Sequence, residues 1–394
     1  MRVSKLAFAI VLAAAASAAA QPSDKQVFAS GGSFPISPAI KVGGIVYLSG
    51  MLASDFSGDI RAQTRQTLER IDEALKDAGT SLDNAATATV YLKNLSDFPA
   101  MNEVYGGFFS GEPPARTTVI ANLARPEALV EIAVTAVEAG RDRQVVLPDG
   151  WMKPGSPYNY AIKTGDTLFM AGLVSRNGRD NSLVEGEVGT QVQTILSNAD
   201  QILAAAGMGP EDIVSARVYI RDVSQFQDMN AVYRAHFPEA PPTRATMRAG
   251  LPGDAYDVEI QFVAVKGPAA KEVVIPPQAD GSPGRVGSNL SPAIEVGNRL
   301  WVSGNLGVTD DNHGDIEAQT RETFARLGRA LTAAGYAWSD VVEATVYVSD
   351  MQYYAGMNEA YREVFTSDFP VRATVEVELV NPNGLVEIAL LAIK

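Results

Sequence analysis

Pro114-Ala115-Arg116-Thr117-Thr118 returns as Pro242-Thr243-Arg244-Ala245-Thr246 and again as Pro370-Val371-Arg372-Ala373-Thr374, each step 128 residues long. Val90-Tyr91, Val218-Tyr219 and Val346-Tyr347 hold the same step, as do Met101-Asn102, Met229-Asn230 and Met357-Asn358. So do Glu131, Glu259 and Glu387, each inside a Val-Glu-Ile triplet. This many identities in constant register mark a tandem triplication. Gly50, Gly172 and Gly304 close matching apolar strands, but their distances to the aligned Gln63, Gln191 and Gln319 are 13, 19 and 15 residues. Insertions therefore collect in the loop after an early strand, where length changes disturb little packed backbone.

Within one unit, Ile45 to Ser49 reads as a short strand. From Asp59 to Ala78, Ile60, Thr64, Leu68, Ile71, Leu75 and Ala78 recur at helical spacing, and Gly79 supplies a stop. Ala86 to Leu92 reads as a strand and Asp97 to Phe109 as a second helix capped by Ser96 or Asp97. Thr117 to Leu123 and Leu129 to Val137 read as two more strands. The expectation is an α+β unit with helices on one sheet face. Three copies can cover the other face by packing sheet on sheet about a pseudo-threefold axis, an intramolecular pseudo-trimer. Seams are expected near 141–150 (Leu147-Pro148-Asp149-Gly150) and 267–283 (Pro276-Pro277-Gln278-Ala279-Asp280-Gly281), giving domains 21–141, 142–268 and 269–394.

Residues 1–20 read as an address. Arg2 and Lys5 precede an apolar run from Leu6 to Ala16, and Ser17-Ala18-Ala19-Ala20-Gln21 offers a small-residue cleavage site, the pattern of a secretory signal peptide. The run falls short of the roughly 20 apolar residues that a spanning helix needs. An exported, periplasmic or secreted protein without stable membrane association after cleavage is expected. Of 394 residues, 46% are hydrophobic and 20% charged, enough to build sizeable cores, and 32 Lys and Arg stand against 46 Asp and Glu. The net charge of −14 repels phosphate backbones and argues against a nucleic-acid partner. The absence of cysteine excludes disulfides, thiolate nucleophiles and Cys-based metal sites, and the two histidines, His236 and His313, fall at unmatched positions in different copies. No phosphate-binding loop, dinucleotide fingerprint, nucleophile elbow or repeated lysine is present, so neither cofactor nor metal is indicated.

Glu131 sits mid-strand, where a carboxylate is costly unless it is paired or lines a cleft. Arg116 is the nearby basic residue repeated in every copy. If their strands are antiparallel neighbours turning near 123–124, residues 116 and 131 fall opposite each other. Two readings stay open: a structural Arg–Glu pair, or an arginine fork gripping a small carboxylate beside a glutamate that handles a proton. Asn102, Asn230 and Asn358 lie on an apolar helix face beside Met, where a helix-to-loop bond would satisfy them as well as a site role.

The Pro-x-Arg-x-Thr block, the Leu-Val-Glu-Ile strand at 129–132 and 385–388, the Met-Asn-x-x-Tyr helix and the Leu-Ser-Gly strand end together resemble the reactive intermediate deaminase A (RidA, YjgF-like) family in all three units. The resemblance implies chorismate mutase-like domains, clefts between units, and hydrolysis of small enamines and imines to 2-keto acids and ammonia, as in a 2-iminobutanoate/2-iminopropanoate deaminase. It implies that Arg116, Arg244 and Arg372 bind the substrate carboxylate and that Glu131, Glu259 and Glu387 activate water. It also implies that Asn102, Asn230, Asn358, Gly50, Gly172 and Gly304 line the clefts. The family's ligand-facing tyrosine matches Tyr158 in the second unit, whereas the first reads Pro35-Ile36 and the third Asn289-Leu290. The rival reading is an exported non-catalytic binder of small carboxylates or metabolites. A ribonuclease, an activity attached to some relatives, fits the acidic charge least. A monomer carrying all three units is the expected state.

Overall fold

The computed structural model describes residues 24–28, 34–285 and 287–394. The expected signal peptide lies outside the described residues. Among those residues no helix is long and apolar enough to cross a membrane.

Three units repeat one architecture. In the first, strands Ala39–Val42, Ile45–Leu48, Val130–Val137, Ala85–Leu92 and Ala115–Ile120 are neighbours in that order, with Gln26–Phe28 on the outer edge. All neighbours run antiparallel except Ala85–Leu92 and Ala115–Ile120, which are parallel and joined through helix Phe98–Gly106. The longer helix Ile60–Asp77 starts where Asp59 accepts the Ala62 N–H at 3.0 Å and stops at Gly79, whose φ of +81° suits glycine. Leu68, Ile71 and Leu75 from it join Met101 and Tyr105 of the second helix against Val90, Ile132 and Val134 of the sheet. The period-3.6 stripe read in the sequence is thus the buried face. The second helix is preceded by a single turn, Leu95–Asp97, and neither proposed residue caps it: Asp97 accepts from Asn94 instead.

The opposite faces of the sheets bury one another. Tyr91, Tyr219 and Tyr347 share one cluster with Val119, Met247 and Val375, residues from all three units. Helices therefore lie outside and the three sheets meet at a common centre. The strand expected over 117–123 is broken at Ala121. Residues 115–120 stay in their own sheet, but Asn122–Leu123 crosses to pair with Val375 and Glu376 of the third unit. The exchange is cyclic. Glu378–Leu379 of the third unit pairs with Met247 and Arg248 of the second, and Gly250 of the second bridges Ile120 of the first. Each sheet edge beside a Pro-x-Arg strand is covered by another unit, leaving no free edge there. Strands Gln144–Val146 and Lys271–Val274 belong to the second and third sheets respectively.

Candidate active site

The cyclic arrangement decides which arginine meets which glutamate. Arg116 and Glu131 are not on adjacent strands: Ala85–Leu92 lies between them, with Ala88 beside Arg116 and Tyr91 beside Glu131. The helical crossover makes the arginine strand parallel to that intervening strand, so the antiparallel register expected for 116 and 131 does not form. Arg116 instead faces the second unit. Its carbonyl accepts from Gly172 N–H at 3.2 Å, and the Thr118 N–H two residues on donates to Glu259 Oε1 at 3.3 Å. The carbonyl of Arg372 likewise accepts from Gly50 N–H at 3.1 Å, and its N–H donates to Ser49 Oγ at 2.9 Å, beside Glu131. Arg244 N–H donates to Ser303 Oγ at 2.9 Å, beside Glu387. Each cleft is therefore built by two units: Arg116 with Glu259, Arg244 with Glu387, and Arg372 with Glu131.

The six charged groups are nearly inaccessible, 2–4% exposed. None of the three Arg–Glu couples closes to an ion pair within 4.0 Å, which removes the structural-pair reading. What surrounds each guanidinium is aromatic. Arg116 lies 4.8 Å from the ring centre of Tyr105, 5.8 Å from Phe98 and 5.7 Å from Tyr158. Arg244 lies 4.8 Å from Tyr233 and 5.8 Å from Phe226, and Arg372 4.6 Å from Tyr361 and 5.8 Å from Tyr354. Cation–π contact compensates part of the desolvation, which for a buried ion amounts to about several kcal/mol. In all three, Nη1 is buried without a hydrogen-bond partner. A buried cation with an open donor and no carboxylate is built to receive an anion.

The glutamates are tuned the other way. Burial pushes Glu131, Glu259 and Glu387 up to about 8, although the Thr374, Thr118 and Thr246 amides and the facing arginines pull back. Each carboxyl holds its proton at neutral pH and can release it just above. Oε2 of Glu259 is buried and unpartnered, leaving it available to a ligand. A Cβ placed on Gly50, Gly172 or Gly304 would stand 2.8, 2.7 or 2.8 Å from the Cδ of Glu131, Glu259 or Glu387, and nearer still to Oε1. These glycines thus admit the carboxyl rather than a ligand. Gln63, Gln191 and Gln319 fix the glutamate strands by accepting the N–H of Leu129, Asp257 and Leu385 at 2.8–2.9 Å.

A family model described as Endoribonuclease L-PSP matches residues 29–138, 151–266 and 285–394. The chain belongs to this family, three times over. Its relatives include the 3-aminoacrylate deaminase RutC of Acinetobacter baylyi, 43% identical over 108 residues that cover 26% of this chain and 86% of the relative. A RutC family protein of Sulfurisphaera tokodaii is 38% identical over 116 residues, covering 29% of this chain and 92% of the relative. A solved chorismatase aligns over 79% of this chain and 93% of its own, with a TM-score of 0.53 and 14% identity, a likeness of fold alone. The resemblance read from the motifs is thus to the chain's own family, in three tandem copies.

The three family units are not equivalent at their clefts. Ser37 N–H donates to the Pro370 carbonyl, Asn159 N–H to Pro114 and Ser291 N–H to Pro242, so Ile36, Tyr158 and Leu290 flank the Arg372, Arg116 and Arg244 clefts. The Arg372 cleft, with isoleucine where the family tyrosine is expected, regains a hydroxyl from its other wall: Arg372 Nη2 donates to Tyr354 Oη at 3.4 Å. The Arg244 cleft has Leu290 and Phe226 and gains neither hydroxyl. Asn358 Oδ1 accepts from Arg372 Nη2 at 2.8 Å, whereas Asn102 Oδ1 and both amide atoms of Asn230 are buried and unpartnered. Tyr105, Tyr233, Tyr361 and the Phe98, Phe226, Tyr354 set are not among the expected site residues; their signal in the sequence is an aromatic repeated four residues after Met and three before it. His236 packs on Phe237 beside Asp200, and His313 is exposed. Among the described residues no group of three or more His, Asp or Glu is placed to hold a metal.

Proposed function

We propose that the protein is an exported hydrolytic deaminase of small imines and enamines bearing a carboxylate, working as a monomer. The observation that carries this is the pairing in each cleft of an arginine with an open buried donor and a protonated glutamate that does not neutralise it. A pure carboxylate receptor needs the first and not the second. The substrate carboxylate takes the arginine, which sets the imine carbon near the glutamate. Water adds to that carbon; the π pair moves to nitrogen, which takes the glutamic proton, and the carboxylate recovers one from the added water. The carbinolamine then collapses: the C–O double bond forms, the C–N bond breaks, and nitrogen leaves as ammonia with a proton shuttled by the same glutamate. The balance is imine plus water to 2-keto acid plus ammonia, with the glutamate regenerated.

The name of the A. baylyi relative supports the reaction class, and the leader-like N-terminus supports export. The test generates imines in situ with an amino-acid oxidase and follows ammonia and keto acid. Acceleration by the protein that disappears in Arg116→Ala/Arg244→Ala/Arg372→Ala, with folding intact, is expected. No acceleration across several amino-acid imines would replace this reading by the non-catalytic carboxylate binder. In size exclusion, a species near one chain's mass is expected; a threefold larger one would overturn the monomer.

A further inference from the structure

The tyrosines of the repeated Val-Tyr pairs are the cross-strand neighbours of the cleft glutamates, and they reach past them. Tyr91, Tyr219 and Tyr347 point to the common centre, where they share a core cluster, and the Tyr219 and Tyr347 hydroxyls are buried there without a hydrogen-bond partner. Side chains two and four residues earlier on the same strands share that inward face. Above the tyrosines the three units diverge. One level up stand Thr89, Arg217 and Thr345, and the next holds Thr87, Ser215 and Glu343. Beside them Gln261 takes the place that Ala133 and Ala389 hold in the other copies.

Together with Arg244, Ser303, Gly304 and Arg372 of two clefts, these residues line a central cavity of about 530 Å³. Its mouth is ringed by one hairpin turn from each unit, at Gly43, Gly165 and Asn298, all exposed. Arg141, Asp142 and the Asp166–Arg299 pair, 2.6 Å apart, also lie there. Inside, Arg217 Nη2 meets Glu343 Oε1 at 2.5 Å and Thr345 Oγ1 at 2.9 Å. Gln261 Nε2 reaches Thr87 Oγ1 at 3.4 Å. Among the described residues, Arg217 Nε and Nη1 and Glu343 Oε2 make no hydrogen bond. The two side chains keep 27% and 24% of their surface accessible although they sit inside the molecule, so that surface faces the cavity.

A ring of three identical chains would place the same residue here three times, and three arginines at one level would repel. Tandem fusion allows one arginine, one glutamate and one glutamine instead. If the pair only joined two sheets, apolar residues of similar volume would serve equally well and leave no charge facing a void. We propose that the central cavity, at the level of Arg217 and Glu343, is a binding site for one small zwitterion of the α-amino-acid type, distinct in its residues from the Arg244 and Arg372 clefts it adjoins. Its carboxylate takes the open Arg217 donors, its ammonium takes Glu343 Oε2, and Gln261 and Thr87 complete the shell. A lone anion meets Glu343 and a lone cation meets Arg217; adjacent opposite charges on the ligand match adjacent opposite charges on the wall.

The test is titration calorimetry of the whole protein with L-alanine, with propionate and ethylamine as single-charge controls. In Arg116→Ala/Arg244→Ala/Arg372→Ala, whose clefts no longer take carboxylates, one L-alanine per chain is expected, with no detectable binding of either control. Arg217→Met/Glu343→Gln removes both charges at similar volume and should weaken binding by about ten- to a hundredfold. Thr89→Phe, which sets a ring at the level of Arg217 and leaves both charges, should do the same and guards against a misfolded double variant. In that background, no L-alanine binding, or binding that survives either variant, would overturn the proposal.

Discussion

Gly172→Ala is the smallest change that should disable a cleft, and its size follows from the packing. Gly172 is not in the left-handed region, so alanine costs nothing in backbone conformation. The new Cβ would lie 2.7 Å from Glu259 Cδ. Ordinary carbon contacts are about 3.5–4.0 Å, so the carboxyl must retreat by roughly 1 Å. Glu259 is buried against its strand and cannot swing into solvent, so the movement is taken out of its alignment with Arg116. A displacement of that size costs about a hundredfold in rate, or about 2.7 kcal/mol of transition-state stabilisation. Overpacking of this kind costs about 1–3 kcal/mol of stability, which urea unfolding would register separately. The assay is imine hydrolysis in an Arg244→Ala/Arg372→Ala background, where turnover comes from the Arg116 cleft alone. Activity within about threefold of that background, with the fold intact, would refute the claim that this glycine exists to seat the carboxyl.

Further outcomes follow from the same geometry. The folded glutamates titrate at about 8 against 4.5 for the free group, so the folded state holds protons that the unfolded chain has lost in that window. Stability should fall as pH rises from about 4.5 through 8. Glu131→Gln/Glu259→Gln/Glu387→Gln should flatten that slope in urea unfolding and be the more stable protein at pH 8, while losing turnover. The same protons should make kcat/KM fall above about pH 8, as the neutral acid disappears; a profile flat to pH 10 would exclude the glutamates as proton donors. Tyr158→Phe should lower turnover in the Arg116 cleft by roughly tenfold and leave an Arg116→Ala background unchanged, since Tyr158 touches Arg116 alone of the three arginines.

The sequence disclosed most of the fold because its signals are local. Ile60, Leu68, Ile71 and Leu75 repeat at helical spacing, Gly79 stops the helix with a positive φ, and the 128-residue step identifies the copies. The failures came where pairing is non-local. Residues 117–123 read as one strand because nothing in them tells that Leu123 pairs with Val375 rather than within its own unit. Arg116 and Glu131 read as partners when a turn near 123 joins their strands, whereas Ala85–Leu92, linked to the arginine strand by the crossover helix, lies between them. The candidate residues were legible as types, but their grouping depends on contacts between units. Tyr105 was hidden for another reason: an aromatic on a helix face has the same pattern whether it fills a core or stacks on a guanidinium. The seating of Glu259 against Gly172 could have been suspected, since a glycine repeated at a strand end implies close approach.

The central claim is that each cleft takes its arginine from one unit and its glutamate from another. It is tested by comparing imine hydrolysis in Arg116→Ala, Arg116→Ala/Glu259→Gln and Arg116→Ala/Glu131→Gln. The first two should have equal activity, because both changes fall in one cleft, and the third should be lower because it disables a second cleft. Equal activity in the first and third, with a further loss in the second, would mean that Arg116 works with Glu131 and would contradict the account.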